Sequence, residues 1–112
     1  MDVTREQQIL HDFAAERSWG QFHTPKNLAM ALAGEVGELL ALFQWLTPEE
    51  SAQIMGSNHA EDVRDEVADV LIYVLRLADV LHIDLDQAVH NKIAKNRARY
   101  TVEASAGNAD KR

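Results

Sequence analysis

Two long segments of the sequence are apolar on nearly every side of a helix, and acidic residues interrupt both. The first, LAMALAGEVGELLALF over residues 28–43, contains Glu35 and Glu38 as its only charges. The second, EVADVLIYVL over residues 66–75, contains Glu66 and Asp69. A helix that is apolar almost all round is buried, either in a bundle or between subunits. These segments therefore predict an all-α fold, a four-helix-type bundle with two long central antiparallel helices.

Helix start and stop signals divide the chain further, and no strand alternation is found. Thr4 with Gln7 has the pattern of a capping box. We expect helices from Thr4 to about Trp19–Gly20, from Thr24-Pro25 to about Leu46, from Thr47-Pro48 to about Gly56, over Ala60–His82, and from Asp84 to about Arg99. Residues 1–100 then form one all-α domain, and residues 101–112 form a polar, mobile tail.

Composition narrows the classes of function. The chain has 112 residues and a formal charge of −7, which argues against a nucleic-acid polymer as partner. The absence of cysteine excludes disulfides, thiol catalysis and cysteine-bound metals. The polar N-terminus is unlike a signal peptide, and no segment is suited to span a membrane, so we expect a cytoplasmic protein. A domain this small buries only about two-thirds of the surface that its unfolded chain exposes, so further burial by oligomerisation is an option.

The spacing of the acidic residues indicates chemistry. Each long helix carries two carboxylates at positions i and i+3, where like charges repel. A buried carboxylate must pair, take up a proton or bind a metal ion. Two such pairs on neighbouring helices would form an oxygen-rich site suited to Mg²⁺ or Mn²⁺. The alternative is neutralisation by Arg64, Arg76 or the bases of a partner subunit. A di-iron site would need Glu-x-x-His, which the sequence lacks.

The sequence also resembles a known family. FAAERSWGQFHTPKNLAMALAGEVGELLALFQW, EVADVLIYVLRLA and NKIAKNRARY are similar to the MazG-like all-α nucleotide pyrophosphohydrolases, in their dCTP pyrophosphatase-like branch. The resemblance covers roughly residues 7–100 and includes the E-x-x-E…E-x-x-D signature. It implies a Mg²⁺-dependent hydrolase that converts a nucleoside triphosphate to the monophosphate and pyrophosphate, with Mn²⁺ as a possible substitute. It also implies a homodimer or homotetramer with sites near subunit interfaces.

The resemblance implies roles for particular residues. The metal ligands would be Glu35, Glu38, Glu66 and Asp69, and Glu38 would also activate the attacking water. Trp19 and Trp45 would lie at the base, Tyr73 would contact the sugar or phosphate, and Asn27 would bind the ligand. Lys92, Asn96 and Arg99 recur at i, i+4 and i+7 on one helical face, so we expect Lys92 and Asn96 to meet phosphate.

The choice of substrate is left open by the sequence. Leu10 occupies a place where dCTP-specific relatives have a histidine, so dCTP and a broader range of deoxynucleotides, including dATP, both remain candidates. The competing function is a non-catalytic helical module whose acidic faces hold a partner or an oligomer together. The resemblance favours an enzyme that removes nucleotides from the cellular pool.

Overall fold

The computed structural model describes residues 1–107, and every regular element in that range is helical. The α-helices are α1 (Val3–Glu16), α2 (Pro25–Phe43), α3 (Pro48–Ala52), α4 (Ala60–Val80), α5 (Leu85–Arg99) and α6 (Val102–Ser105), with short 3-10 turns at Gly20–Phe22 and Ile54–Gly56. The all-α prediction is confirmed. Part of the predicted mobile tail forms α6, and its residues 108–112 lie outside the described range. None of the described helices is long and apolar enough to cross a lipid bilayer.

The chain divides into two units, Met1–His82 and Ile83–Arg112. In the first unit α4 is the central element, because both α2 and α1 pack against it and its contact with α2 is the broadest. The second unit contains α5 and α6. The candidate metal ligands all belong to the first unit.

A small apolar core holds the first unit together. Leu28 on α2 and Leu75 on α4 are almost fully buried, at 1% and 3% exposure. Burying one such leucine contributes about 1.5–3 kcal/mol. Ala14 and Ala78 are buried at the same level, and their small side chains allow α1 and α4 to approach closely. The core thus holds α2 against α4, the two helices that carry the acidic residues.

Side-chain caps set most of the helix starts. The Thr24 side chain accepts from the backbone N–H of Asn27 at 3.2 Å, with Pro25 in the first helical position, as predicted. Thr47 and Glu50 form a reciprocal capping box at the start of α3. The prediction of a cap at Thr4 is wrong, because Asp2 caps α1 by accepting from the N–H of Arg5 at 3.1 Å.

The segment between α1 and α2 is held by hydrogen bonds at both of its ends. Ser18 has a φ of +57°, which turns the chain back so that the Trp19 N–H donates to the Ala14 carbonyl at 2.9 Å. At the other end, the Asn27 side-chain amide donates to the Phe22 carbonyl at 3.0 Å. The position of this segment is therefore set by local hydrogen bonds within the first unit.

Candidate metal centre and adjoining cavity

Three carboxylates from α2 and α4 converge on one point. An oxygen of each of Glu35, Glu38 and Glu66 lies within 4.8 Å of the others. Glu35 and Glu38 are three residues apart, so they project from one side of α2, and Glu66 faces them from α4. Glu35 and Glu66 are half-buried, whereas Glu38 is exposed. The predicted convergence of acids from two helices is confirmed for these three residues.

The electrostatics of this cluster are unfavourable without a cation. One oxygen of Glu35 and one of Glu66 are buried without a hydrogen-bond partner in the described structure. Burial and the neighbouring charges of Glu38 and Asp69 raise the pKa of Glu35. Burial, then the charge of Glu38, raises the pKa of Glu66 to about 7. The fold thus holds carboxylates together at a cost in electrostatic repulsion.

No arginine among residues 1–107 neutralises the cluster. Arg64 pairs with Glu61 at 3.2 Å, and Arg76 pairs with Asp79 at 3.3 Å. Over residues 1–107, no lysine, arginine or histidine forms an ion pair with Glu35, Glu38, Glu66 or Asp69. The two intrachain candidates for neutralisation are therefore engaged elsewhere.

The donor set fits a hard divalent cation. All three converging groups offer carboxylate oxygens, which are the ligands that Mg²⁺ and Mn²⁺ prefer. The unpartnered oxygens of Glu35 and Glu66 are the atoms that a cation would satisfy. Asp69 does not belong to the three-residue group, but it is half-buried on α4 one turn beyond Glu66 and lies close enough to affect Glu35.

A cavity of about 310 Å³ adjoins the carboxylates. Glu35 and Asp69 line it, together with Arg76 and His23. The remaining lining residues are apolar or aromatic: Leu10, Phe13, Ala14, Trp19, Ile72 and Tyr73. The Trp19 ring packs edge-on against Phe13, with centroids 5.6 Å apart. This volume and lining are typical of a site for a small organic ligand.

The structure places the other predicted binding residues in different surroundings. Trp19 and Tyr73 line the cavity, but Trp45 does not line it and is 87% exposed, two residues beyond the end of α2. Asn27 lies in the first turn of α2 with its amide donating to Phe22. Lys92 and Asn96 are exposed on α5 in the second unit.

Arg76 and His23 were not predicted as site residues, although both line the cavity. Arg76 is only 7% exposed, and its Nε donates to His23 Nδ1 at 3.0 Å. Its Nη1 donates to Asp79 at 3.3 Å and lies 3.5 Å from His11 Nδ1. Burial, then the charge of Arg76, lowers the pKa of His23. The available sequence signal was a single arginine within the apolar run of α4.

Comparison with known proteins agrees with this arrangement. The model of the MazG-like family matches residues 31–111. Mouse dCTP pyrophosphatase 1 is 50% identical over 101 residues, which cover 89% of this chain and 59% of the relative. The chain therefore spans about three-fifths of that relative's length. A dATP/dGTP diphosphohydrolase of cyanophage S-2L is 44% identical over 59 residues, which are 53% of this chain and 55% of the relative.

A solved structure extends the comparison to the fold. The crystal structure of a pyrophosphatase from Archaeoglobus fulgidus matches with a TM-score of 0.78 and 43% identity, covering 84% of this chain and 87% of that one. The family match includes α2 from residue 31 onward and all of α4, the two helices that supply the clustered carboxylates. The chain belongs to the MazG-like family.

Proposed function

We propose that this chain is a Mg²⁺-dependent nucleoside triphosphate pyrophosphohydrolase, and that its substrate is dCTP or a related deoxynucleoside triphosphate. The products would be the monophosphate and pyrophosphate. The observation that carries the proposal is a set of carboxylates at the edge of an aromatic cavity, with no basic partner in the described part of the chain. The names of the mouse, phage and archaeal relatives support the same class of reaction.

In this proposal Glu35, Glu38, Glu66 and Asp69 hold the divalent ions. Bound Mg²⁺, or Mn²⁺ in its place, would offset the negative charge of the triphosphate and lower the pKa of water. Without such ions the acidic cluster would repel a triphosphate. Glu66 must give up its proton to act as a ligand, so its raised pKa makes binding of the ion pH-dependent near neutrality.

Glu38 is the residue that we propose as general base. It is the exposed member of the cluster, so water and a phosphate group have access to it. Its carboxylate would accept a proton from the water whose oxygen attacks the α-phosphorus. The bond from that phosphorus to the bridging oxygen then breaks, and pyrophosphate leaves with the bonding electrons.

The cavity is the proposed site for the nucleoside. Trp19 offers an aromatic surface to the base, and Tyr73 lies one turn beyond Asp69 on α4, near the sugar or α-phosphate. Ligand binding by Asn27 and Trp45, and phosphate binding by Lys92 and Asn96, stay predictions. We also retain the proposals of a homodimer or homotetramer and of a cytoplasmic location.

The test is a panel of deoxynucleoside triphosphates incubated with the protein and Mg²⁺, with pyrophosphate release as the readout. We expect hydrolysis of at least one substrate, and a loss of about 10²–10⁴-fold in kcat for Glu38→Gln. Glu61→Gln, an exposed change on α4, is the matched control and should retain activity.

The competing function predicts a different result. A non-catalytic module that binds a partner through its acidic faces would be inert with every substrate under Mg²⁺ or Mn²⁺. Inactivity of folded protein across the panel would therefore exclude the proposed reaction.

A further inference from the structure

The cavity is lined by side chains of opposite charge, Glu35 and Asp69 on one hand and Arg76 on the other. Asp69, Tyr73 and Arg76 are spaced at i, i+4 and i+7, so they lie on one face of α4. Seven residues correspond to about 10 Å along the helix axis. Asp69 and Glu35 are the lining residues that lie with the carboxylate cluster, and Arg76 lines the same cavity two helical turns further along α4. If the phosphates lie at the carboxylates, as in the proposed function, the base is directed toward Arg76.

The guanidinium of Arg76 is held in a fixed orientation. Its Nε donates to His23 at 3.0 Å, and its Nη1 donates to Asp79 at 3.3 Å. These bonds come from the segment after α1 and from α4 itself, so they restrain the side chain from two directions. The side chain is more than nine-tenths buried. Such a group is organised before any ligand arrives.

One nitrogen of this guanidinium is still available. Nη2 has no hydrogen-bond partner among residues 1–107, although Arg76 lines the cavity. Guanidinium groups donate hydrogen bonds and never accept them. A ligand that enters the cavity therefore meets a charged hydrogen-bond donor, which favours an acceptor atom on the ligand. A donor group on the ligand, such as an exocyclic amine, would find no partner in Arg76.

We propose that Arg76 is a specificity-determining residue that donates from Nη2 to a carbonyl oxygen of the nucleobase. This inference rests on the proposed function and names the bases that the site takes. Hypoxanthine, guanine, cytosine, thymine and uracil all carry a carbonyl oxygen, whereas adenine carries none. The site therefore discriminates against dATP.

The sharpest test compares dITP with dATP, because these substrates differ at position 6 of the purine, where one has a carbonyl and the other an amine. A hydrogen bond to a charged group contributes about 1.5–3 kcal/mol, or about 10–100-fold in kcat/KM. We expect dITP to exceed dATP by this factor in the wild-type protein. Equal kcat/KM values would overturn the proposal.

Substitution of the arginine tests whether it is the source of the preference. In Arg76→Gln the ratio of dITP to dATP should fall to about one or reverse, because an amide can both donate to and accept from adenine. Arg64→Gln, the same change at an exposed position of α4, should keep the wild-type ratio. A purely structural arginine would lower thermal stability and affect both substrates equally, and a wild-type ratio in folded Arg76→Gln would exclude the proposal.

Two further measurements separate the possible failures. If Arg76→Gln does not fold, Arg76→Met keeps an unbranched side chain without any donor nitrogen, and the ratio of dITP to dATP should fall to about one. If the protein hydrolyses no nucleotide, the proposed function fails, but calorimetric binding of dITP and dATP to wild type and variant still decides the role of Arg76. Equal affinities of the wild-type protein for both nucleotides would contradict it.

Discussion

At the scale of single residues, the carboxyl group of Glu66 links folding to proton uptake. Its pKa is about 7 in the folded chain, because the group is desolvated and faces Glu38 and Glu35. In the unfolded chain a glutamate releases its proton near its ordinary value, about 4.3. Between these two values the folded state binds more protons than the unfolded state. The contribution of Glu66 to stability therefore falls as pH rises through this window.

We predict that Glu66→Gln removes part of the loss of stability that accompanies rising pH. In metal-free buffer, the Tm of the wild-type protein should fall relative to that of Glu66→Gln as pH rises from about 5 to about 8. Asp65→Asn, at the neighbouring exposed position, should follow the wild-type protein. Thermal denaturation monitored by circular dichroism measures all three proteins. Parallel curves for wild type and Glu66→Gln would show that Glu66 does not titrate differently on folding.

Trp45 provides a second prediction at this scale. Its side chain is 87% exposed, so Trp45→Ala should change the free energy of unfolding by no more than about 0.5 kcal/mol. If it binds the base as predicted, the variant should show a raised KM or a relaxed base preference. Trp19→Ala, which removes a ring packed on Phe13, should cost more stability. A large drop in Tm with unchanged kinetics would assign Trp45 a structural role.

The predictions for single residues were limited because the sequence does not show where a long side chain reaches or where a helix ends. The sequence analysis named Arg76 as a candidate to neutralise the acids, but its long side chain bonds His23 and Asp79 instead. The second helix was also predicted to run to about Leu46 and so to include Trp45, although α2 ends at Phe43. The acidic cluster was predictable because Glu35 and Glu38 lie well inside a regular helix.

At the scale of elements, the sequence identified the helices better than their exact ends. Thr24-Pro25, Thr47-Pro48 and Asp84 all mark observed starts, because cap chemistry there is local. The start of α1 was misassigned, since Asp2 and Thr4 are both good caps and lie two residues apart. α2 ends at Phe43 instead of Leu46, and Gln44 still has helical backbone angles, so the difference is confined to the last turn, where helix ends are least defined by sequence.

The caps give a prediction for the helix that carries Glu35 and Glu38. Thr24→Ala removes the acceptor for the N–H of Asn27 and should cost about 1 kcal/mol in the free energy of unfolding. Thr4→Ala is the matched control, because Thr4 lies inside α1 and does not cap it. Urea denaturation of both variants measures the difference. Equal losses would mean that the Thr24 cap does not stabilise α2.

At the scale of the whole molecule, large apolar side chains remain exposed in the first unit. Leu40 on α2 is 59% exposed, and Val67 and Leu71 on α4 are 51% and 40% exposed. Val67 and Leu71 are four residues apart and therefore share one face of α4, and exposed apolar patches are typical of association surfaces. These exposures support the predicted homo-oligomer, in which α2 and α4 would be buried further.

We predict that the chain sediments as a dimer or tetramer and that Leu40→Lys shifts it toward the monomer. A charge placed in an apolar interface loses its hydration without gaining a partner, so association should weaken by at least tenfold. Asn58→Lys adds the same charge in an exposed turn and should leave association unchanged. Analytical ultracentrifugation over a range of protein concentrations distinguishes these outcomes. A monomeric wild-type protein at all concentrations would contradict the prediction.

The anchoring of the segment between α1 and α2 has a kinetic consequence. The left-handed turn at Ser18 and the bonds from Asn27 and Arg76 hold Trp19 and His23 in place without any help from a ligand. The segment between α1 and α2 is therefore already ordered when a nucleotide binds, so little binding free energy is lost to ordering it. Encounter and charge steering, rather than closure of this segment, should govern the association rate.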